Sequence, residues 1–368
     1  MARMAAGVRK KGNLLEKRFT YEGKRYSVYA PNQKELAIKE QELREQIKNK
    51  QYTANRNITL DGYFKEWIKT KEKSVKSTSI YTYEIIYQKR ISPALGKRKI
   101  VDIERREIIG FQSKLSGELK PKTINYVIDE LSSILNGAII DNIIIKNPCL
   151  GVKQLKETEK ATETIHRALT AEEQSAFMEE LKGSFYYEFI AFMLCTGARC
   201  GEVAALTWGD IDRKAELIHI NKTTTYSKGG QFEVGNSTKT EAGKRDIPLL
   251  PNIKEILQKQ KDKLNGIINL PNKRIFCSCN GDLVRSFMIN NEIRSTLARL
   301  EEKGIHIDKF TSHALRDTFA TRFIEQGGTI QTLKTILGHE SYNMTADLYA
   351  HVLPNTKKEE MEKVNIVI

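Results

Sequence analysis

Along most of this chain apolar residues recur at the three- and four-residue spacing of a helix face, and the interruptions of that spacing divide it. The segment LLEKRFTYEGKRYSVYA, residues 14–30, instead alternates and turns at Glu22-Gly23, which predicts a strand hairpin. Asn32 followed by Glu35 reads as a capping box opening a helix with Leu36, Leu43 and Ile47 on one face. Residues 50–57 are polar and loop-like. Helical spacing then governs: Leu60, Phe64, Trp67 and Ile68; a second run over 79–89 with Tyr83, Ile86 and Tyr87; a third over 102–115; and a long fourth over 120–142 containing Ile124, Val127, Ile128, Leu131, Ile134 and Leu135. Pro148 closes this group. The stretch KQLKETEKATET, 153–164, holds one large apolar residue, Leu155, and reads as a linker. Beyond it a helix opens at Thr170-Ala171-Glu172-Glu173 and another covers 184–196. Strands are expected over 215–225, in a central stretch and over 244–249, forming a small antiparallel sheet. Helices follow at about 251–264, 284–302, 312–326 and 329–337, with a short helical run over 345–351. The expected fold is mainly α with small antiparallel β-sheets (α+β). Its divisions are a ββα-type module over 1–56, a helical domain over 57–152, a mixed domain over 165–355 and a tail over 356–368.

A chain of 368 residues, 40% hydrophobic and 29% charged, can bury cores in two or three domains of about 150 residues each. Its formal charge of +14 points to a polyanionic partner, nucleic acid or an acidic membrane. No apolar run reaches the ~18 residues that would cross a bilayer. The start, MARMAAGVRKKGN, lacks the apolar core of a secretory signal. A soluble intracellular protein acting on nucleic acid, without a membrane partner, is therefore expected. Five scattered cysteines argue against a disulfide framework, and Cys277-Ser278-Cys279 has no partner pair with zinc-ligand spacing, so no metal is expected there. Residues 1–30 hold eight Lys or Arg against two Glu. Arg9, Lys10, Lys11, Lys17, Arg18, Lys24 and Arg25 thus lie on or beside the expected hairpin, where a basic sheet can be laid against a DNA groove. In the helical segment Lys89, Arg90, Lys120 and Lys122 suit phosphate contacts.

The chemistry concentrates in TGARCGEVAALTW (196–208), STKTEAGKRDIPL (237–249) and the span from SHALRDTFATRF to LGHESYNMTADLYAH (312–351). Arg199 follows a glycine turn into a helix, with Glu202 three residues on and so able to hold its guanidinium before an anion arrives. His313 and Arg316 stand at i and i+3 of one helix and face one side. His339 follows Gly338, the expected stop of its helix. Tyr349 comes ten residues later. A tyrosine hydroxyl, with pKa about 10, attacks at neutral pH only beside a base or strong positive charge. Tyr342 is its rival as nucleophile. Lys239, in a polar turn before the last strand, can reach a cleft and give a proton to a leaving hydroxyl; Lys222, Lys228 and Lys244 are local competitors. Two guanidiniums, two imidazoles and an ammonium can together surround one phosphodiester.

Several runs in this order, namely Ala198-Arg199-Cys200-Gly201-Glu202, Lys239-Thr240 with Arg245-Asp246-Ile247-Pro248-Leu249, His313-Ala314-Leu315-Arg316, Leu337-Gly338-His339 and Tyr349-Ala350-His351, resemble the tyrosine recombinases. The likeness is nearest to integrases of phages and conjugative transposons. It covers 165–355; the helical segment ending in Asn147-Pro148 resembles that family's SAM-like core-binding domain, and the basic start its arm-binding domain. Gly243 stands where many members have serine. The resemblance implies attack by Tyr349 to give a 3′-phosphotyrosine and a free 5′-hydroxyl. It assigns Arg199 and Arg316 to the nonbridging oxygens, Lys239 as general acid, His313 to proton transfer at Tyr349, His339 to the phosphate and Glu202 to orienting Arg199. It further implies no metal or other cofactor, double-stranded DNA with core and arm sites as partner, four protomers joining two duplexes, accessory DNA-bending or excision-directing proteins, and a C-terminal tail packing on a neighbour.

Two other readings stay open at this stage: a type IB topoisomerase, which relaxes supercoils with similar residues, and a DNA-binding regulator that leaves the chemistry unused.

Overall fold

The computed structural model describes residues 8–11, 14–21, 24–48, 57–156, 167–227, 229–235, 243–264 and 274–339. The chain forms two compact units, Met1–Ala161 and Thr162–Ile368. Helices dominate both, with small antiparallel sheets.

The first unit begins with a three-stranded antiparallel sheet, β1 (Val8–Lys11), β2 (Leu14–Tyr21) and β3 (Lys24–Ala30), followed by α1 (Gln33–Lys48). The expected hairpin is β2–β3; the edge strand β1 is additional. Asn32 caps α1 by accepting the Glu35 amide at 2.9 Å, while its own side-chain amide donates to the Glu35 carboxylate at 2.8 Å. Phe19, Val28, Ala30 and Leu36 form a core between the sheet and α1. Ile47 lies within α1; its side chain is outside the described residues.

Helices α2 (Leu60–Lys71), α3 (Ser77–Ile86), α4 (Arg105–Leu115) and α5 (Pro121–Ile140) enclose a second core, with the apolar spacing of the sequence supplying Leu60, Phe64, Trp67, Ile124, Leu131 and Ile134. Helix α3 does not stop near 89 but widens into a π-helix, Tyr87–Gly96, that contains Pro93. Buried Tyr87, Ile91 and Leu95 recur every four residues there, a spacing that suits the wider turn, and Pro93 has no N–H to place in an α-helical ladder. Gly96 lies so close to Asp61 that an added Cβ would stand 2.2 Å from Oδ1, the oxygen that accepts the Tyr87 hydroxyl at 2.8 Å. The expected linker starts as part of this unit. The Asn125 side chain accepts the Leu155 amide and donates to its carbonyl, both at 2.9 Å, and the Leu155 side chain packs on the core.

In the second unit α6 (Ala171–Glu180) opens on a full capping box between Thr170 and Glu173. There follow α7 (Tyr187–Thr196), the short α8 (Cys200–Ala205) and five strands: β4 (Ile211–Asp212), β5 (Leu217–Ile220), β6 (Thr223–Tyr226), β7 (Phe232–Gly235) and β8 (Arg245–Pro248). Helices α9 (Pro251–Leu264), α10 (Ser286–Glu302), α11 (Ser312–Glu325) and α12 (Ile330–Leu337) complete it. The strand expected over 215–225 is two strands belonging to two sheets, β4–β5–β8 and β6–β7. It breaks at Asn221-Lys222, where Lys222 turns its ammonium to Asp210 at 2.8 Å. The core gathers Phe177, Phe189, Phe192, Ile218, Ile247, Phe276, Ile289 and Leu315. The helical run expected over 345–351 lies outside the described residues.

Candidate active site

Two helix ends meet one buried arginine. Helix α7 terminates at Gly197, with φ 63°, and α12 at Gly338, with φ 67°, both in the left-handed region that glycine adopts without strain. Arg316, on α11 and 4% exposed, donates through Nη1 to the Gly197 carbonyl and through Nη2 to the Leu337 carbonyl, each at 2.7 Å. Carbonyls at helix C-termini hold partial negative charge, so they suit a desolvated guanidinium. Gly197 admits no side chain here: a Cβ would stand 2.4 Å from Phe319 Cδ1 and 2.8 Å from Leu337 Cδ2.

Arg199 stands at the start of α8, two residues past Gly197. Its Nη1 donates to Glu202 Oε1 at 2.9 Å, and its backbone N–H donates to Oε2 at 2.9 Å. The Glu202 side chain is 3% exposed and that of Arg199 36%, so the carboxylate is anchored while the guanidinium keeps a solvent-facing side. Arg245, from β8, donates through Nη2 to the same Oε2 at 2.8 Å, through Nη1 to the Gly243 carbonyl at 3.2 Å, and through Nε to the Ile336 carbonyl. Two guanidiniums thus hold one carboxylate, and the charge of Glu202 also reaches Arg316. Burial pulls the Glu202 carboxyl upward, but the hydrogen bond and charge of Arg245 and the charge and backbone N–H of Arg199 outweigh it and hold it below the usual range. Burial, with the like charges of Arg199 and Arg245 and against the opposing charge of Glu202, pushes Arg316 down to about 9. It remains a cation at neutral pH. The excess of positive charge in a partly desolvated place is what an oxyanion would relieve.

The remaining expected residues divide clearly. His313 is exposed one turn before Arg316 on α11, and His339 directly follows the Gly338 cap, two residues beyond the carbonyl that Arg316 holds. Lys239, Tyr349 and the rival Tyr342 lie outside the described residues, as does Lys228. Of the other competitors of Lys239, Lys222 is committed to Asp210 and to the Thr207 hydroxyl at 3.3 Å, and Lys244 is exposed beside Gly243. Arg245 was not singled out from the sequence. The signal was present: Arg245, Ile247 and Leu249 alternate, so the arginine shares the buried face of its strand with two aliphatic residues.

In the first unit the pleat sorts the basic residues. Arg9, Glu16 and Tyr29 stand opposite one another across β1, β2 and β3, on the face away from α1, and Arg18 stands opposite Ser27 on that face. Arg18 Nε and the Tyr29 hydroxyl both donate to Glu16 Oε1 at 2.9 Å. Lys17 points the other way and pairs with Glu40 of α1 at 2.5 Å. Lys10 shares that side of the pleat and is exposed at the edge strand. The side chains of Lys11, Lys24 and Arg25 are outside the described residues. Lys89 is exposed; Arg90 reaches Glu118 at 3.2 Å; Lys120 and Lys122 stand exposed at the start of α5.

Comparison with known proteins adds the following. The phage integrase family matches residues 167–356, and the phage integrase N-terminal SAM-like domain matches 59–116. The chain is 27% identical to a tyrosine recombinase XerC-like protein of Caldanaerobacter subterraneus subsp. tengcongensis, over 96% of this chain and 92% of that one. It is also 27% identical to the ICEBs1 integrase of Bacillus subtilis, over 91% of this chain and 90% of the other. In fold it resembles the Tn1549 transposon integrase solved with a circular intermediate DNA, with a TM-score of 0.69 and 22% identity, covering 84% of this chain and 100% of that one. A lambda integrase tetramer bound to a Holliday junction matches with a TM-score of 0.63 at 18% identity, covering 93% and 94%.

Proposed function

The chain belongs to the phage integrase family of tyrosine recombinases, and from that premise we propose how its residues break and rejoin DNA. It is a site-specific recombinase of mobile elements. Tyr349 Oη attacks the scissile phosphorus while its proton passes towards His313. The bond to O5′ breaks, and Lys239 protonates that oxygen as it leaves. The product is a 3′-phosphotyrosine with a free 5′-hydroxyl. Arg199, Arg316 and His339 bind the nonbridging oxygens, where negative charge grows in the transition state. Each strong donor of this kind contributes roughly 3–4 kcal/mol. A 5′-hydroxyl from the exchanged strand then attacks the phosphotyrosine, and the same groups act in reverse. One phosphodiester is made for each one broken, so the bond energy is retained.

The observation that supports this reading best is the fastening of Arg316 between two helix ends next to an Arg199 held by a buried carboxylate. Both guanidiniums are oriented before DNA binds, which is what transition-state stabilisation requires. We further assign residues 1–56 to arm-type DNA sites and 57–152, with Lys89, Arg90, Lys120 and Lys122, to the core site. The working assembly is a tetramer on two duplexes in the bacterial cytoplasm, with the tail 356–368 linking neighbours and accessory proteins bending the DNA or directing excision. The relatives named above are a recombinase and integrases, which favours strand exchange over relaxation.

The test is a nicked core-site duplex that traps the covalent intermediate. The full chain should give a protein–DNA adduct, and Tyr349→Phe should bind the same duplex without forming one. Binding with no adduct from the unmodified chain would support the regulator instead. Relaxation of supercoils with no exchange between two duplexes would support the topoisomerase.

A further inference from the structure

We propose that Arg245 is a positioning residue for the phosphate clamp: its buried guanidinium fixes the carboxylate of Glu202 that aims Arg199, and it fastens the end of α12 that leads to His339. The inference rests on the roles of Arg199 and Glu202 given above. Arg245 joins three separate pieces of chain. One arm reaches Glu202 on α8, one the Gly243 carbonyl ahead of β8, and its Nε the Ile336 carbonyl on α12. Arg316 takes the next carbonyl, that of Leu337. Two guanidiniums therefore hold successive carbonyls of one helix end, and Gly338 and His339 follow directly.

The cost of this arrangement argues that it does more than fill space. The Arg245 side chain is 2% exposed and that of Glu202 3%, and a buried ion pair is commonly no more stabilising than apolar side chains of the same volume. What the pair does supply is orientation. With Arg199 alone as partner, the Glu202 carboxylate could rotate or follow the arginine outward. With Oε2 held by Arg245 and by the Arg199 backbone N–H, Oε1 is left in one place to receive Arg199 Nη1. Lysine cannot replace this, because a single ammonium on a flexible stem does not span three acceptors in the plane of a guanidinium.

The experiment uses the full chain in single-turnover cleavage of the nicked core-site duplex, with core-site affinity and thermal melting measured in parallel and cleavage assayed well below the melting temperature. Arg245→Met should cleave about 100-fold more slowly, the loss of one well-placed oxyanion donor. It should still bind the duplex within about threefold, because uniform binding is not what is lost. Arg245→Lys should recover little of the rate. Combined with Glu202→Gln, Arg245→Met should be no slower than the slower single variant by more than about threefold, since coupled residues are not additive. On a substrate with sulfur at the 5′-bridging position, whose thiolate leaves without a proton, Lys239→Ala should recover and Arg245→Met should not. Should Arg245→Met fail to fold, Arg245→Lys keeps the buried charge and serves in the same comparisons. Cleavage by the folded variant at the unmodified rate, multiplicative losses with Glu202→Gln, or rescue by sulfur would each overturn the inference. If Arg199→Ala and Glu202→Gln also cleave normally, the clamp reading itself fails. If those two abolish cleavage and the Arg245 variants do not, only the role of Arg245 falls.

Discussion

Glu130 shows how a single residue can depart from what its helix pattern leads one to expect. It lies on α5 among Val127, Ile128, Leu131 and Ile134, is 4% exposed, and neither carboxylate oxygen has a hydrogen-bond partner. Burial pushes its carboxyl up to about 8, so it is largely protonated at neutral pH. Because the folded-state value lies above the unfolded one, the folded chain binds the extra proton. Stability is therefore greatest below the ordinary carboxyl range and declines as the pH rises towards 8. Glu130→Gln, which keeps the shape without the titration, should raise the melting temperature of the first unit. The gain should be small near pH 5 and grow to the equivalent of roughly 2–4 kcal/mol by pH 9. Equal melting curves for the two chains at pH 5 and pH 9 would rule this out. Residue-level placement was legible where a motif fixed it, as with the pairing of Arg199 and Glu202. It was hidden where burial decided it: nothing at position 130 announces that a charged side chain will be enclosed, and at 245 the alternation with Ile247 and Leu249 marks the buried face but not the carboxylate and carbonyls that meet it there.

At the scale of elements, hydrophobic periodicity located the helices well because each needs one apolar stripe against a core. It failed where backbone geometry had to change. The π-helix Tyr87–Gly96 accommodates Pro93, and the split of 215–225 between two sheets comes where Lys222 turns to Asp210, a contact that spacing does not encode. The amino-terminal sheet shows the same limit. Its positive charge was evident, but only the register separates a face open to a ligand, with Arg9 and Arg18, from a face turned to α1, with Lys17. If the open face meets DNA, Arg18→Ala should weaken arm-site binding and lower the slope of log affinity against log salt by about one. Lys17→Ala should leave that slope unchanged and cost up to about 1 kcal/mol of stability through its pair with Glu40. Measured salt slopes that respond to Lys17 and not to Arg18 would place the DNA on the other side of the sheet.

Over the whole molecule the charge is divided unevenly between the two units. Residues 1–161 hold 33 Lys and Arg against 19 Asp and Glu, a surplus of 14, whereas residues 162–368 hold 27 of each. The unit that contains the proposed phosphate clamp is therefore neutral overall, and within it Arg199, Arg245 and Arg316 form a local group of positive charge near Glu202. This suits a division of labour in which non-specific attraction to the DNA backbone belongs to the first unit and recognition of one phosphate to the second. Attraction of that kind releases condensed counterions, about 0.9 per phosphate neutralised on duplex DNA, and so is read directly from the salt dependence of binding. Lys120→Ala with Lys122→Ala, both exposed at the start of α5, should therefore flatten the salt slope on core-site DNA by about two. Lys259→Ala with Lys309→Ala, both exposed in the neutral unit, should change it by less than about half of one. Cleavage of DNA already bound, measured at low salt, should be nearly unaffected in either pair, because none of the four is placed at the clamp. Equal flattening by the two pairs would show that the charge surplus of the first unit does not set the encounter with DNA, and that phosphate contacts are spread over both units despite the imbalance between them.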